Sequence, residues 1–245
     1  MPIFDPREGK NPMIPGLILA NLLPLVGIIY YDVSFFALFY LYWWETVMIG
    51  VFNWLKMGWA EKPAQPTESL TYNGNIVSYE QLNDRRGMRR MYFFMRSGIM
   101  IFYLIFIVVF VGLMTAVKED ATAFAKTITF TDPWVFWSFI GFTALHLVEY
   151  IIWIRSGTYK ETTVAELANP FDGRLILIHV VIVAGTFLSM YTSEKLFPNH
   201  PHAASIGYGV LFVLIKIILD IWNAKTEGKS IFTQIIRKGD NNNLN

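Results

Sequence analysis

Six long apolar stretches, separated by shorter polar connections, dominate the pattern of the chain. They cover residues 13–31, 34–56, 93–117, 134–154, 175–191 and 206–222. Each is close to the ~20 residues that a helix needs to cross the hydrocarbon core of a bilayer. The pattern predicts an all-α fold, a polytopic membrane helix bundle in which six transmembrane helices form a single membrane domain, residues 1–245.

The distribution of lysine and arginine predicts the orientation of this bundle. With six spans, the side that carries both termini holds sixteen of the twenty Lys and Arg residues and the other side holds three. Positive charge accumulates in cytoplasmic connections. We therefore expect both termini and the longest connection, residues 57–92, to be cytoplasmic, in a multi-pass protein of the inner membrane.

The 57–92 connection contains two local signals. Asn73-Gly74 lies between β-prone residues, which predicts a tight hairpin. A basic run, residues 84–90, comes directly before the third apolar stretch. That run is either a docking site for anionic lipid or a partner, or simple positive-inside anchoring. The second interpretation is favoured, because every predicted cytoplasmic connection is basic.

Composition narrows the class of protein. The chain is 54% hydrophobic and 16% charged, with a mean hydropathy of +0.40, whereas soluble domains carry about 25% charged residues. The net charge of +1 gives no indication of nucleic-acid binding. The absence of cysteine excludes disulfides, thiolate metal sites and iron–sulfur clusters. The expected partners are the lipid bilayer and either a second copy of the chain or another subunit of a membrane complex.

Besides Lys56 and Arg96 near the ends of their stretches, six charged or histidine residues lie inside the apolar stretches: Glu45, His146, Glu149, His179, Lys216 and Asp220. A charge near the centre of a bilayer costs at least ~3 kcal/mol, so such residues are functional-site hypotheses by default. A rise of about 1.5 Å per residue places all six at the midplane or in the cytoplasmic half. His146 and Glu149 are spaced i,i+3 and Lys216 and Asp220 i,i+4, so each pair shares a helix face. The sequence predicts one polar pocket that opens to the cytoplasm.

Several interpretations fit this cluster. A divalent metal would be held by Glu45, His146, Glu149, His179 and Asp220, since these ligand types suit Zn, Fe or Mn; Lys216 would compete as a cation. A proton or ion relay would use the same groups. Haem between the two histidines is disfavoured, because their depths differ by roughly 6 Å. As helix glue, paired polar groups would stabilise the bundle by ~0.6 kcal/mol per hydrogen bond, with Lys216 neutralising Glu45 or Glu149.

Two classes of function follow. The leading hypothesis is a metal-dependent or acid–base membrane enzyme that acts on a small or lipidic substrate. The alternative is a non-enzymatic, transporter-like or accessory subunit of a membrane complex, in which the cluster is a relay or helix glue. Arg96, at the start of the third stretch, is predicted either to snorkel to the cytoplasmic face or to reach the pocket.

Three stretches resemble a family of bacterial six-helix integral membrane proteins of unknown function: Leu41–Lys56, Arg174–Gly185 and Leu214–Asp220. The resemblance covers most of the chain and includes Glu45, Asn53, His146, His179, Lys216 and Asp220. In that family the third helix begins with histidines, where this chain has Met95-Arg96-Ser97-Gly98. The resemblance therefore implies that part of a metal site is missing here, and it supplies no activity.

Overall fold

The computed structural model describes residues 13–31, 33–65, 70–72, 75–112, 121–169, 207, 209–218 and 221. These residues are mostly helical. The chain divides into two compact units. Among the described residues, the first unit contains 43–106 and 139–169, and the second contains 13–42, 107–138 and those from 207 onward.

The described part of the chain contains eight α-helices: α1 (Met13–Tyr30), α2 (Phe35–Trp59), α3 (Tyr79–Asn83), α4 (Arg85–Phe106), α5 (Ala121–Ile128), α6 (Pro133–Arg155), α7 (Val164–Leu167) and α8 (Gly209–Ile218). A π-helical stretch, Ile107–Gly112, continues α4, and a 3₁₀ turn, Thr158–Lys160, precedes α7. The predicted hairpin is confirmed: β1 (Thr71–Tyr72) and β2 (Asn75–Ile76) pair antiparallel with Tyr72 opposite Asn75.

Two helical segments are long and apolar enough to cross a membrane, Arg85–Val109 and Phe124–Arg155. Only 22% of the most apolar 18 residues of each segment is buried, whereas the core helix of a soluble protein is mostly buried. Ile18–Gly27 and Gly209–Ile218 are shorter apolar helices. The predicted fifth span, residues 175–191, lies outside the described residues.

Helical structure extends into the connection that the sequence predicts as a loop. α2 continues to Trp59, and α4 begins at Arg85 rather than at residue 93. The Asp84 carboxylate accepts the N–H of Arg86 at 3.1 Å, which satisfies a donor of the first turn of α4. The basic turns are helical because Met88 is buried on one face while Arg85, Arg86 and Arg90 stay exposed. A count of apolar residues overlooks such a one-sided helix.

Two connections fold together in the first unit, residues 57–92 and 156–169. The backbone N–H of Glu61 donates to the carbonyl of Tyr159 at 3.0 Å. Buried apolar side chains from both connections form one core, named here the connection core: Met57, Ala60, Ala64, Val77, Leu82, Met88, Tyr92, Val164 and Ala168. The ends of α2 and α6 and the start of α4 are therefore held beside one another.

Capping boxes begin the two short helices of these connections. The N–H of Ser78 donates to the Gln81 side chain at 3.1 Å, and the Ser78 hydroxyl accepts the N–H of Gln81 at 3.4 Å. Thr163 and Glu166 form the same reciprocal pair, with both distances 3.1 Å. Because each box satisfies two backbone donors that a helix start leaves open, α3 and α7 form despite their few residues.

Aromatic side chains pack the second unit. The ring of Phe36, in the first turns of α2, lies 4.7 Å from that of Phe124 in α5. Tyr31 and Trp134 lie 4.2 Å apart, at the end of α1 and the start of α6. Asp132 caps α6, since its carboxylate accepts the N–H of Trp134 at 2.8 Å. The connections after α1 and before α6 are thus fixed against one another within this unit.

Gly112 offers a test of this aromatic packing. A Cβ added there would lie 2.5 Å from Phe124 Cε2 and 3.1 Å from Phe36 Cε2. We expect Gly112→Ala to destabilise the protein by ~1–3 kcal/mol, as overpacking does, and Phe124→Leu to recover part of the loss. The measurement is the unfolding free energy of the purified protein in detergent.

Gly98 in α4 provides the matched control for that substitution. A Cβ at Gly98 has no atom within 4 Å, so Gly98→Ala should be neutral or stabilising by up to ~1 kcal/mol through helix propensity. If Gly112→Ala were as well tolerated as Gly98→Ala, the described packing of Phe124 would be wrong.

Candidate functional site

In the first unit, α2 and α6 bring together three of the predicted site residues. Glu45 lies in the middle of α2, and His146 and Glu149 lie one turn apart on α6. A fourth residue, Lys56, follows Glu45 on α2 by eleven residues, which is about three helical turns and places both on one face. The four side chains form what is named here the carboxylate–histidine chain.

Each side chain of the carboxylate–histidine chain contacts the next, from Glu45 through His146 and Glu149 to Lys56. His146 Nε2 lies 3.8 Å from Glu45 Oε1, and His146 Nδ1 lies 3.2 Å from Glu149 Oε2. The other oxygen of Glu149, Oε1, accepts a hydrogen bond from Lys56 Nζ at 3.1 Å. The imidazole therefore lies between two carboxylates, and one of these is also paired with an ammonium group.

Burial changes steeply along these contacts. Glu45 is 4% exposed and His146 5%, whereas the side chain of Glu149 is 45% exposed. The His146–Glu149 contact has hydrogen-bond length, but 3.8 Å between His146 and Glu45 exceeds it. A small side-chain rotation would close that gap. The carboxylate–histidine chain thus has a buried carboxylate, Glu45, and a half-exposed carboxylate, Glu149.

Aromatic rings frame the same groups. Phe52, on the face of α2 between Glu45 and Lys56, has its ring centroid 6.4 Å from that of His146 and 5.7 Å from that of Tyr150. The ring of Trp153 lies 5.9 Å from Lys56 Nζ. Apolar walls strengthen the electrostatic interactions of the groups they enclose, because they exclude water.

Arg96 is buried beside this site, so it does not snorkel to the surface, the first of the two predicted orientations. Its guanidinium donates from Nη2 to the backbone carbonyl of Thr46 at 3.2 Å. Gly50 leaves room for it, since a Cβ there would lie 3.2 Å from both Arg96 Cγ and Nε. The Arg96 side chain lies across α2 instead of extending along α4, because α2 offers a carbonyl acceptor and a glycine.

Lys216 has neighbours of its own in the second unit. Its Nζ donates to Asn21 Oδ1 at 2.7 Å and lies 4.6 Å from the centre of the Tyr42 ring, a cation–π distance. Lys216 and Asn21 are both buried. Two of the residues predicted to share its pocket, His179 and Asp220, lie outside the described residues.

The described residues contain no group of three or more His, Asp or Glu side chains placed to hold a metal ion. In the carboxylate–histidine chain both ring nitrogens of His146 face carboxylates, and Lys56 is bonded to an oxygen of Glu149. A metal needs lone pairs that converge on one point. These contacts instead run in a line, so the geometry favours charge pairing and proton exchange.

Comparison with known protein families assigns the chain to one family. The model of a family of unknown function, DUF6498, matches residues 4–235. The chain belongs to this family. No curated protein and no solved structure matches it. The DUF6498 match spans every residue of the carboxylate–histidine chain, and since the family has no assigned function, the chemistry of the site must be inferred from its geometry.

Sequence reasoning missed two partners in this DUF6498 protein. Lys56 reads as a charge at the end of a span, but its eleven-residue spacing from Glu45 places it on the same helix face. Asn21 is a lone polar residue in the first apolar stretch, and it accepts from Lys216. Its contact is separated by 195 residues, so no local pattern could have identified it.

Proposed function

We propose that this DUF6498 protein is a six-span integral membrane protein of the inner membrane, with both termini in the cytoplasm. The outward faces of α4 and α6 support this proposal. Large apolar side chains are exposed along both, including Phe94 and Phe102 on α4 and Trp137 and Leu147 on α6. Apolar surface of this extent marks a membrane or protein contact, and both segments have the length of a span.

The connection core supports, independently of charge, a common membrane face for two of the connections. The 57–92 and 156–169 connections are covalently remote, yet they share one apolar core. Polar connections cannot pack together through a bilayer, because their backbone groups would lose their hydrogen bonds to water. Both connections therefore belong to one membrane face, and the positive-inside rule assigns that face to the cytoplasm.

Single cysteines test this topology, because the sequence has no cysteine. Glu80→Cys and Glu161→Cys, both exposed, should resist a membrane-impermeant maleimide applied to intact cells. The exposed Lys126→Cys, in the connection before α6, should react. If Glu80→Cys and Glu161→Cys labelled from opposite sides, the common membrane face would be refuted.

Within this bundle, we propose that the carboxylate–histidine chain is a proton relay. The steep change in burial from Glu45 through His146 to Glu149 carries the proposal. An imidazole accepts a proton at one nitrogen and donates one from the other. His146 faces a carboxylate at each nitrogen, so it can pass a proton between a buried and a half-exposed acceptor.

Lys56 and the aromatic frame complete the proposed relay. Lys56 compensates the charge of Glu149 at the exposed end, and Phe52 closes the side of the imidazole. Buried Glu and His groups of this kind mark proton paths in membrane proteins. The proposal favours a transporter-like protein or an accessory subunit of a membrane complex over a metal-dependent enzyme.

Infrared spectroscopy of the reconstituted protein tests the relay. The carbonyl band of protonated Glu45 is identified by its loss in Glu45→Gln and is followed as the pH of the medium changes. Glu45 should titrate with the medium and exchange its proton for deuterium, although it is buried. A Glu45 band that ignores the pH of the medium would refute the relay.

A further inference from the structure

One exposed face of α4 changes from basic to apolar along its length. Arg86, Arg90, Phe94, Ile101 and Ile105 fall on this face at 3.6 residues per turn. Phe94 is 67% exposed, Ile101 57% and Ile105 58%, and both arginines are exposed as well. The change occurs within one turn, between Arg90 and Phe94.

Arg86 and Arg90 on this face differ from Arg89, which lies between them in the sequence. Arg89 lies with its guanidinium 4.0 Å from the centre of the Trp54 ring and packs against Gly58. Within the described residues, the guanidinium groups of Arg86 and Arg90 make no hydrogen bond or ion pair. Cations in the first turns of a helix oppose its dipole. Helix stability therefore does not explain this pair.

We infer that this face binds one anionic phospholipid. The phosphate of the lipid pairs with Arg86 and Arg90, and one acyl chain lies along Phe94, Ile101 and Ile105. The inference rests on the proposed membrane location of α4.

Two lengths support this occupant. From Phe94 to Ile105 the helix rises about 16 Å, which matches the ~15 Å of hydrocarbon in one leaflet. Arg90 lies one turn, roughly 6 Å, before Phe94, at the depth of the headgroups. An acidic protein or a nucleic acid would pair with the arginines but would leave the apolar part of the face uncovered, so a lipid fits better.

Native mass spectrometry of the full-length protein in detergent tests the inference. Phosphatidylglycerol is titrated against phosphatidylcholine with the same acyl chains. The wild type should prefer phosphatidylglycerol. Arg86→Gln and Arg90→Gln should each lower that preference about 5-fold, and the double variant about 25-fold, from the ~1 kcal/mol per basic residue at an anionic surface. Arg86→Lys with Arg90→Lys should retain most of it.

An equal loss of charge elsewhere is the matched control. Arg155→Gln with Lys160→Gln removes two exposed cations, one at the end of α6 and one in the turn that follows, and should leave the preference unchanged. An equal fall in both double variants would replace the site by general electrostatics and overturn the inference. Displacement of the lipid by glycerol phosphate would also overturn it, since a site for a free phosphate compound does not need the apolar face.

The relay and the lipid site can fail separately. His146→Phe should keep the full preference for phosphatidylglycerol, because His146 is not on this face. Loss of lipid preference in Arg86→Gln with Arg90→Gln should leave the exchange of Glu45 unchanged. If the wild type showed no preference for the anionic lipid, the lipid site would be refuted while the relay would stand.

Discussion

Replacing His146 with phenylalanine is expected to slow hydrogen–deuterium exchange at the Glu45 carboxyl by at least ~10²-fold, the lower end of what a positioned acid–base group contributes to proton transfer. Phenylalanine preserves an aromatic ring beside Phe52 but has no nitrogen to carry a proton. Glu45 would then exchange only through rare openings of the structure. The measurement is the rate at which the Glu45 infrared band shifts after transfer to deuterated buffer.

Thr143→Val is the control for this substitution. Thr143 lies one turn before His146 on α6, and its hydroxyl donates to the Phe139 carbonyl at 2.8 Å, away from the carboxylates. Its loss removes a polar group from the same helix without touching the relay, so the exchange of Glu45 should keep its wild-type rate. An unchanged rate in His146→Phe would mean that protons reach Glu45 by another path.

Lys216 and Asn21 are expected to stabilise the protein as a pair, with a coupling of about 1.5–3 kcal/mol, the range for hydrogen bonds to charged groups. Lys216→Met removes the donor to the buried Asn21 oxygen, and Asn21→Leu removes an acceptor from the buried ammonium. The unfolding free energies lost in the two single variants should therefore sum to more than the loss in the double variant. Chemical unfolding of the four proteins in detergent gives the coupling.

A second pair of substitutions calibrates that cycle. Thr129 is exposed and bonds to nearby residues of its own turn, so Lys216→Met and Thr129→Val should be additive within ~0.5 kcal/mol. If Lys216→Met and Asn21→Leu were equally additive, their 2.7 Å contact would contribute nothing. The lysine would then be kept for another reason.

The helices were predictable where one simple signal dominates. α6 is a continuous apolar stretch, and its bounds lie close to the predicted 134–154. The start of α4 was not predictable from apolar content, because its first turns carry four arginines and bury only one face. The connection core, formed by remote segments, also has no local signature.

The site was predictable as a set of residue types but not as a set of contacts. The i,i+3 spacing of His146 and Glu149 indicated a shared face, and the two lie 3.2 Å apart. Lys56 pairs with Glu149, and Lys216 donates to Asn21. Which cation pairs with which acceptor depends on how the helices pack, and no periodic pattern in the sequence indicates that packing.

The most direct test of the central claim changes the pH on one side of the membrane only. In sealed, oriented vesicles, the Glu45 infrared band should follow the pH on the side where Glu80→Cys can be labelled, because the half-exposed Glu149 connects Glu45 to that side. In His146→Phe this response should be lost. A Glu45 band that followed the opposite side, or responded equally in wild type and His146→Phe, would contradict a relay from Glu45 through His146 to Glu149.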